Sequence, residues 1–141
     1  MMSSDLSRFL KAQDYDYDNA LREIRSGRKR SHWMWYIFPQ VQGLGFSSTA
    51  QYYAIRNLEE AKDYLAHPIL GARLREISAA LLELDGLSAH EIFGYPDDLK
   101  LRSCMTLFRL ADLDDSLFQE VLDKYYDGEP DSRTVDIVYG R

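Results

Sequence analysis

The run PILGARLREISAALLELDG, residues 68–86, decides the fold class. Leu70, Leu74, Ile77, Leu81 and Leu84 recur at alternating intervals of four and three, which puts them on one face of a 3.6-residue helix. Pro68 suits the first turn, where its missing N–H has no helical partner to lose, and Gly86 suits the stop. This stretch is expected to be the longest helix of the chain.

The same pattern continues outward in shorter pieces. Downstream, Ser88 followed by Glu91 has the spacing of a capping box for a short helix that closes at Gly94. Pro96-Asp97-Asp98 reads as another start, for a helix burying Leu99, Met105, Leu107 and Phe108 in some combination. Asp115-Ser116 precedes one carrying Leu117, Val121, Leu122 and Tyr125, stopped by Gly128-Glu129-Pro130. Residues 134–139 have strand composition but no partner strand, so they read as a last helical turn or an ordered tail. Upstream, Asn57 and Glu60 suggest a capping box for a helix ending near His67, with Leu58, Ala61 and Leu65 inward. Leu6, Phe9 and Leu10 mark a first helix, and Tyr17, Leu21 and Ile24 a second that stops at Gly27. The expected fold is all-α: a single multihelical bundle over residues 1–141 with short connecting loops.

The chain has 141 residues, 45% of them hydrophobic, enough to bury one core without staples. With 17 basic and 23 acidic residues its formal charge is −6, so no global positive field draws in nucleic acid, which is the least favoured partner. Cys104 is the only cysteine, which excludes an internal disulfide and any multi-thiolate metal site. A buried, inert thiol is expected there. The start Met1-Met2-Ser3-Ser4-Asp5 lacks a secretory signal pattern, and no segment is apolar enough to span a bilayer. The expectation is a cytoplasmic protein without membrane contact.

Several chemistries fail on spacing. Asp14, Asp16 and Asp18 mimic the opening of a calcium loop, but Asn19 stands at the glycine position and Arg25 at the bidentate glutamate position, so these acids are read as a helix start. Gly43 and Gly45 copy half a dinucleotide fingerprint, but Ser48 replaces the third glycine. His32, His67 and His90 are too scattered for a local metal motif, and neither a metal nor a cofactor is expected. No Gly-x-Ser-x-Gly elbow is present.

Two polar groups remain. The first, residues 28–40, crowds Arg28, Lys29, Arg30, Ser31, His32, Trp33, Trp35 and Gln40 together. Guanidinium groups pair with phosphate oxygens in a fork, an indole stacks on a planar ring, and a primary amide both donates and accepts. His32 titrates near neutrality and is the leading acid or base. The plain alternative is a helix with its aromatics packed inward and its cations in water. The second group, residues 97–106, sets Lys100, Ser103 and Thr106 on one helix after Asp98, a stripe that either bonds backbone or lines a pocket. His90, just upstream, is a further acid–base candidate.

These segments, with Ser47 to Ala54, His67-Pro68-Ile69-Leu70-Gly71 and His90-Glu91-Ile92-Phe93-Gly94, resemble across nearly the whole chain a bacterial and fungal family of unknown function, number 1810. Some of its members carry the label calpastatin, an inhibitor that would be disordered, which the hydrophobic periodicity here contradicts. The resemblance puts a serine where Cys104 stands, against an essential nucleophile at that position. In size and motif style the family is similar to the NADAR superfamily, which acts on ADP-ribose derivatives. That similarity implies a binder or processor of a small anionic, nucleotide-like ligand, extending to hydrolysis of an N-glycosidic bond. Arg28, Lys29 and Arg30 would attract the anion, Trp33 or Trp35 would stack, and Gln40 and Ser47 would orient the sugar, with His32 or Asp98 moving a proton. Ser31, Lys100, Ser103 and Thr106 complete the expected lining. The competing reading is a non-catalytic module that docks an acidic partner protein through its basic aromatic segment.

Overall fold

Helices supply the regular structure throughout residues 5–141, the part described in this computed structural model; the reading of residues 1–4 lies outside the described residues. Nine helices follow one another among the described residues: α1 (Ser7–Arg25), α2 (Met34–Ile37), α3 (Ser48–Tyr52), α4 (Leu58–Ala66), α5 (Leu70–Leu82), α6 (Ala89–Phe93), α7 (Asp97–Ala111), α8 (Leu117–Tyr126) and α9 (Ser132–Tyr139). The all-α class stands. Among the described residues no helix is long and apolar enough to cross a membrane.

α5 and α7 form the centre. α7 packs on α4, α6, α8 and α9, and α5 on α1, α4 and α8. Leu70, Leu74, Ile77 and Leu81 of α5 are all buried, as their spacing requires. On α7, Leu101, Cys104, Met105, Leu107 and Phe108 are sealed while Leu99 is 49% exposed. Burial alone pushes the Cys104 thiol well above its ordinary range, so an inert thiol is what the fold makes of it. Aromatic rings run through the core from Phe9 to Tyr64 to Phe108, with centroids 5.2 Å apart at each step. Gly71 lets α5 follow α4 closely, because a Cβ there would stand 2.1 Å from the Leu65 carbonyl oxygen.

Three expectations about local structure are corrected. α1 is one helix of 19 residues and the longest among the described residues, so the two expected N-terminal helices are one and α5 comes third in length, after α1 and α7. The acids at positions 14–18 therefore sit in mid-helix, not at a start. They serve tertiary contacts: Asp14 pairs with Arg73 at 3.1 Å and Asp16 accepts a hydrogen bond from the Tyr36 hydroxyl. Third, Asn57 caps α4 by accepting from Glu60 N at 2.9 Å, but the Glu60 carboxylate does not complete the box. It turns instead to Arg8 and Arg56, at 2.9 and 3.0 Å, buried and clamping the start of α1 to α4.

The remaining stops and starts follow the sequence. Ser88 and Glu91 form a full capping box, Gly94 closes α6 at φ 73°, and residues 132–139 are helical. The excursion between α2 and α4 is closed by an isolated parallel bridge of Val41 with Ile55, in which Gln42 N donates to Ile55 O and Ile55 N donates to Gln40 O. That bridge fixes the backbone of Gln40 beside the start of α7.

Candidate functional site

The basic aromatic segment is only partly helical, because a buried carboxylate reorganises it. Glu23, 7% exposed on α1, accepts from Arg30 N at 2.6 Å, Ser31 N at 3.0 Å, Ser31 Oγ at 2.7 Å and Trp33 Nε1 at 3.0 Å. Burial opposes its charge, but these donors outweigh the desolvation and hold its carboxyl down at about 2. Residues 28–33 therefore run as a fixed non-helical strap, and helix is confined to the four residues of α2. Trp33 is fully buried against Phe38 and Phe93, at 6.1 and 6.4 Å between centroids.

Beyond the strap, Trp35 is half-buried and the Lys100 ammonium lies 5.4 Å from its ring centroid. Lys100 also faces Asp97 at 3.5 Å, a long ion pair that Asp97 shares with Lys29 at 2.9 Å. Here the loop after α2, the start of α7 and the start of α9 enclose an open cleft of about 420 Å³. Gln40, Lys100, Arg102, Ser103 and Arg133 give it a polar, cationic lining, and Leu44, Tyr95, Pro96 and Leu99 add an apolar one. A small recess lined by Trp35, Tyr53 and Ala50 adjoins it through Gln40, Gly45 and Lys100. Its volume of about 10 Å³ holds one water-sized group.

The electrostatics of this cleft follow from which groups are already paired. Asp131 is its acidic member, and that carboxylate caps α9 by accepting from Thr134 N at 3.0 Å and Thr134 Oγ1 at 2.6 Å. Arg102 donates its Nε to Glu129 O at 2.9 Å and packs its guanidinium over Tyr126, leaving its two terminal nitrogens without protein acceptors. Arg133 and the Gln40 amide make no side-chain hydrogen bond among the described residues. Three cations thus face one carboxylate that is already engaged.

The expected site residues divide. The structure brings Gln40, Lys100 and Ser103 to the cleft, with Trp35 beside Lys100, although the buried Ser103 Oγ donates to Leu99 O at 3.2 Å and so can only accept from a ligand. It assigns others to internal tasks: Ser31 and Trp33 serve Glu23, and Ser47 caps α3 by accepting from Ala50 N at 3.1 Å. Thr106, 1% exposed, donates to Arg102 O and accepts from Asp131 N, both at 2.8 Å. Trp33 and Thr106 are therefore closed to any ligand. Arg28 and Arg30 are exposed on the strap, and Arg28 and Lys29 line a different cleft. His32 is exposed and lines neither cleft, and Asp98 pairs with His90 at 3.5 Å instead. Nothing joins His32 to Asp98. Among the described residues no group of three or more His, Cys, Asp or Glu is arranged to hold a metal ion.

Sequence reasoning passed over Arg102, Arg133, Tyr95 and Leu44 as cleft residues. Arg133 carries no local signal; it arrives because Thr106 binds the backbone at Asp131 and so docks α9 on α7. Tyr95 and Leu99 had one available sign, an apolar pair flanking a helix start where solvent-facing polar residues are the norm.

A family model described as "Protein of unknown function (DUF1810)" matches residues 3–138. The crystal structure of the conserved hypothetical protein Rv1873 from Mycobacterium tuberculosis superposes with a TM-score of 0.94 at 50% identity, covering 96% of each chain. No curated protein matches.

Proposed function

The chain belongs to the DUF1810 family, whose description names no activity, and from the chemistry of its own cleft we propose that it binds a small anion bearing a planar or apolar group, of the nucleotide or ADP-ribose class. One observation carries this reading: Lys100, Arg102 and Arg133 converge with the unpartnered Gln40 amide on a single concavity of a chain whose net charge is −6. Cations collected against the overall charge favour an anionic occupant. The terminal nitrogens of Arg102 and the whole of Arg133 suit the oxygens of a phosphate, and Gln40 and Ser103 suit hydroxyls. Tyr95 and Leu99, 75% and 49% exposed, suit a ring.

The geometry supports binding more than turnover. Hydrolysis of a glycosidic bond needs an acid–base group beside the reacting atom, and neither His32 nor Asp98 lines this cleft. Docking of an acidic protein has less support, since Trp33, the central aromatic of the basic segment, lies inside the core.

Isothermal titration with ADP-ribose, AMP, ribose 5-phosphate and inorganic phosphate tests the proposal. Saturable binding is expected for at least one phosphate ester, weakened about tenfold or more in Lys100→Ala and in Arg133→Ala and falling with added salt. Equal affinity in both variants, or no binding of any compound, overturns it.

A further inference from the structure

A second open cleft, of about 470 Å³, lies between the turn after α1 and the body of α6, where Arg28, Lys29, His90, Glu91 and Gly94 face one another. The Lys29 amide donates to Ile92 O at 2.8 Å, which fixes the strap along α6, and Arg28 and His90 line the same cleft. At the mouth, Gly94 leaves open space: no atom lies within 4 Å of where its Cβ would stand.

The acids near this cleft are all engaged. Glu91 accepts from Ser88 N at 2.9 Å in its capping box. Asp97 pairs with Lys29 at 2.9 Å, and Asp98 accepts from Leu99 N at 2.9 Å while facing His90 Nδ1 at 3.5 Å. Arg28, exposed, forms no ion pair among the described residues. His90, with its side chain 69% exposed, faces Asp98 through Nδ1 at 3.5 Å, and its Nε2 has no partner among the described residues. The cleft therefore offers a guanidinium without an ion pair and an imidazole with a free Nε2, beside an ammonium held by Asp97.

We infer that this cleft is a second anion site, separate from the one at Lys100, and that it takes a tetrahedral oxyanion of the phosphate or sulfate class between Arg28 and protonated His90. The guanidinium supplies a two-pronged grip on two oxygens, imidazolium Nε2 donates to a third, and Lys29 adds positive potential without leaving Asp97. The groups facing His90 set its response. These are Asp98 and Asp97 on α7, Arg28 and Lys29 on the strap, and Glu91 on its own helix, with Asp97 held by Lys29 and Glu91 by Ser88. An imidazole can donate to the anion through Nε2 while Nδ1 faces Asp98 only when protonated, so affinity should rise as pH falls through the ordinary histidine range.

Sulfate is the probe, because its charge is constant across that range. Amide and histidine-ring NMR signals of the whole chain are followed as sodium sulfate is added at fixed ionic strength. Saturable shifts are expected at Lys29, Glu91, Gly94 and the His90 ring, with His67 as an internal control, since its Nδ1 already accepts from Ile69 N and Leu70 N. Arg28→Ala should weaken sulfate binding about fivefold or more, and His90→Gln should abolish its pH dependence. Both substituted side chains are exposed, so folding is preserved. Shifts that grow without saturation, or that fall only on residues around Lys100 and Arg133, overturn the inference. Repeating the titration with inorganic phosphate and ribose 5-phosphate separates a free anion from an esterified one, and tighter binding of either supports the site.

Discussion

Trp33 and Trp35 stand two residues apart in the same basic segment and meet opposite fates. Around Trp33 every polar group has an internal partner: its indole N–H, the Ser31 hydroxyl and two backbone amides all end on Glu23. Around Trp35 the pairing is incomplete, with Lys100 held by a ring face and a carboxylate 3.5 Å away, and the Gln40 side-chain amide making no hydrogen bond among the described residues. Residue type does not separate structure from site here; unused bonding capacity does.

The largest expected effect of that contrast is on stability. Trp33→Ala should cost about 3–5 kcal/mol, because it leaves a cavity beside Phe38 and Phe93 and strips a donor from Glu23. Trp35→Ala should cost under about 1.5 kcal/mol but weaken ligand binding several-fold by releasing Lys100. Urea unfolding of both variants, alongside titration of Trp35→Ala and Trp35→Phe, breaks the comparison if the two stability losses are equal. Rescue of affinity by phenylalanine identifies Trp35 as a positioning residue.

Next in size is the pH response of Glu23. Its folded carboxyl is held at about 2 against an ordinary 4.5, so between those values the unfolded chain binds the proton and the folded one does not. The stabilisation is full above pH 4.5 and is lost as pH falls through about 2, amounting to roughly 3 kcal/mol by the shift. Glu23→Gln should flatten the acid limb of the stability curve between pH 5 and about 2. An unchanged acid limb means the strap is held by something other than this carboxylate.

These two regions also explain how much could be read from the chain. Helical faces were legible because apolar spacing is a local property: residues 70–81 and 101–108 bury what their period requires, although α5 ends at Leu82 and leaves Leu84 outside the helix and only partly buried. The fold class, the capping box at Ser88 and the helical tail followed from the same reasoning. The strap was not legible, because its conformation depends on Glu23, five positions before Arg28 on another element, whose burial no local pattern announces. For the same reason Ser31, Trp33 and Thr106 looked like ligand groups: a polar atom in an apolar setting reads identically whether its partner is a ligand or a backbone. Gln40, Lys100 and Ser103, expected from the sequence, line the candidate cleft, whereas Arg133, brought there by the docking of α9, carried no local sign.

A smaller effect is expected at Gly45, on the cleft side of the contrast. A Cβ there would meet the Ala50 Cβ at 2.7 Å, so Gly45→Ala must push the start of α3 away from the loop. The recess between Trp35 and Tyr53 widens, and affinity should fall by a few-fold with about 1 kcal/mol of stability. Unchanged affinity would detach the recess from the binding site.

Tyr95 gives the smallest and most discriminating test. At 75% exposure its removal should alter stability by no more than about 0.5 kcal/mol, so any change in binding reports contact and not folding. The cleft lining is mixed, with cations at Lys100, Arg102 and Arg133 and apolar side chains at Tyr95 and Leu99. If the apolar side chains hold a ring, Tyr95→Ala weakens AMP or ADP-ribose several-fold and leaves inorganic phosphate untouched, whereas Arg133→Ala weakens all of them. Equal losses across the series would mean that the apolar lining contributes no selectivity, and that the cleft recognises the phosphate alone.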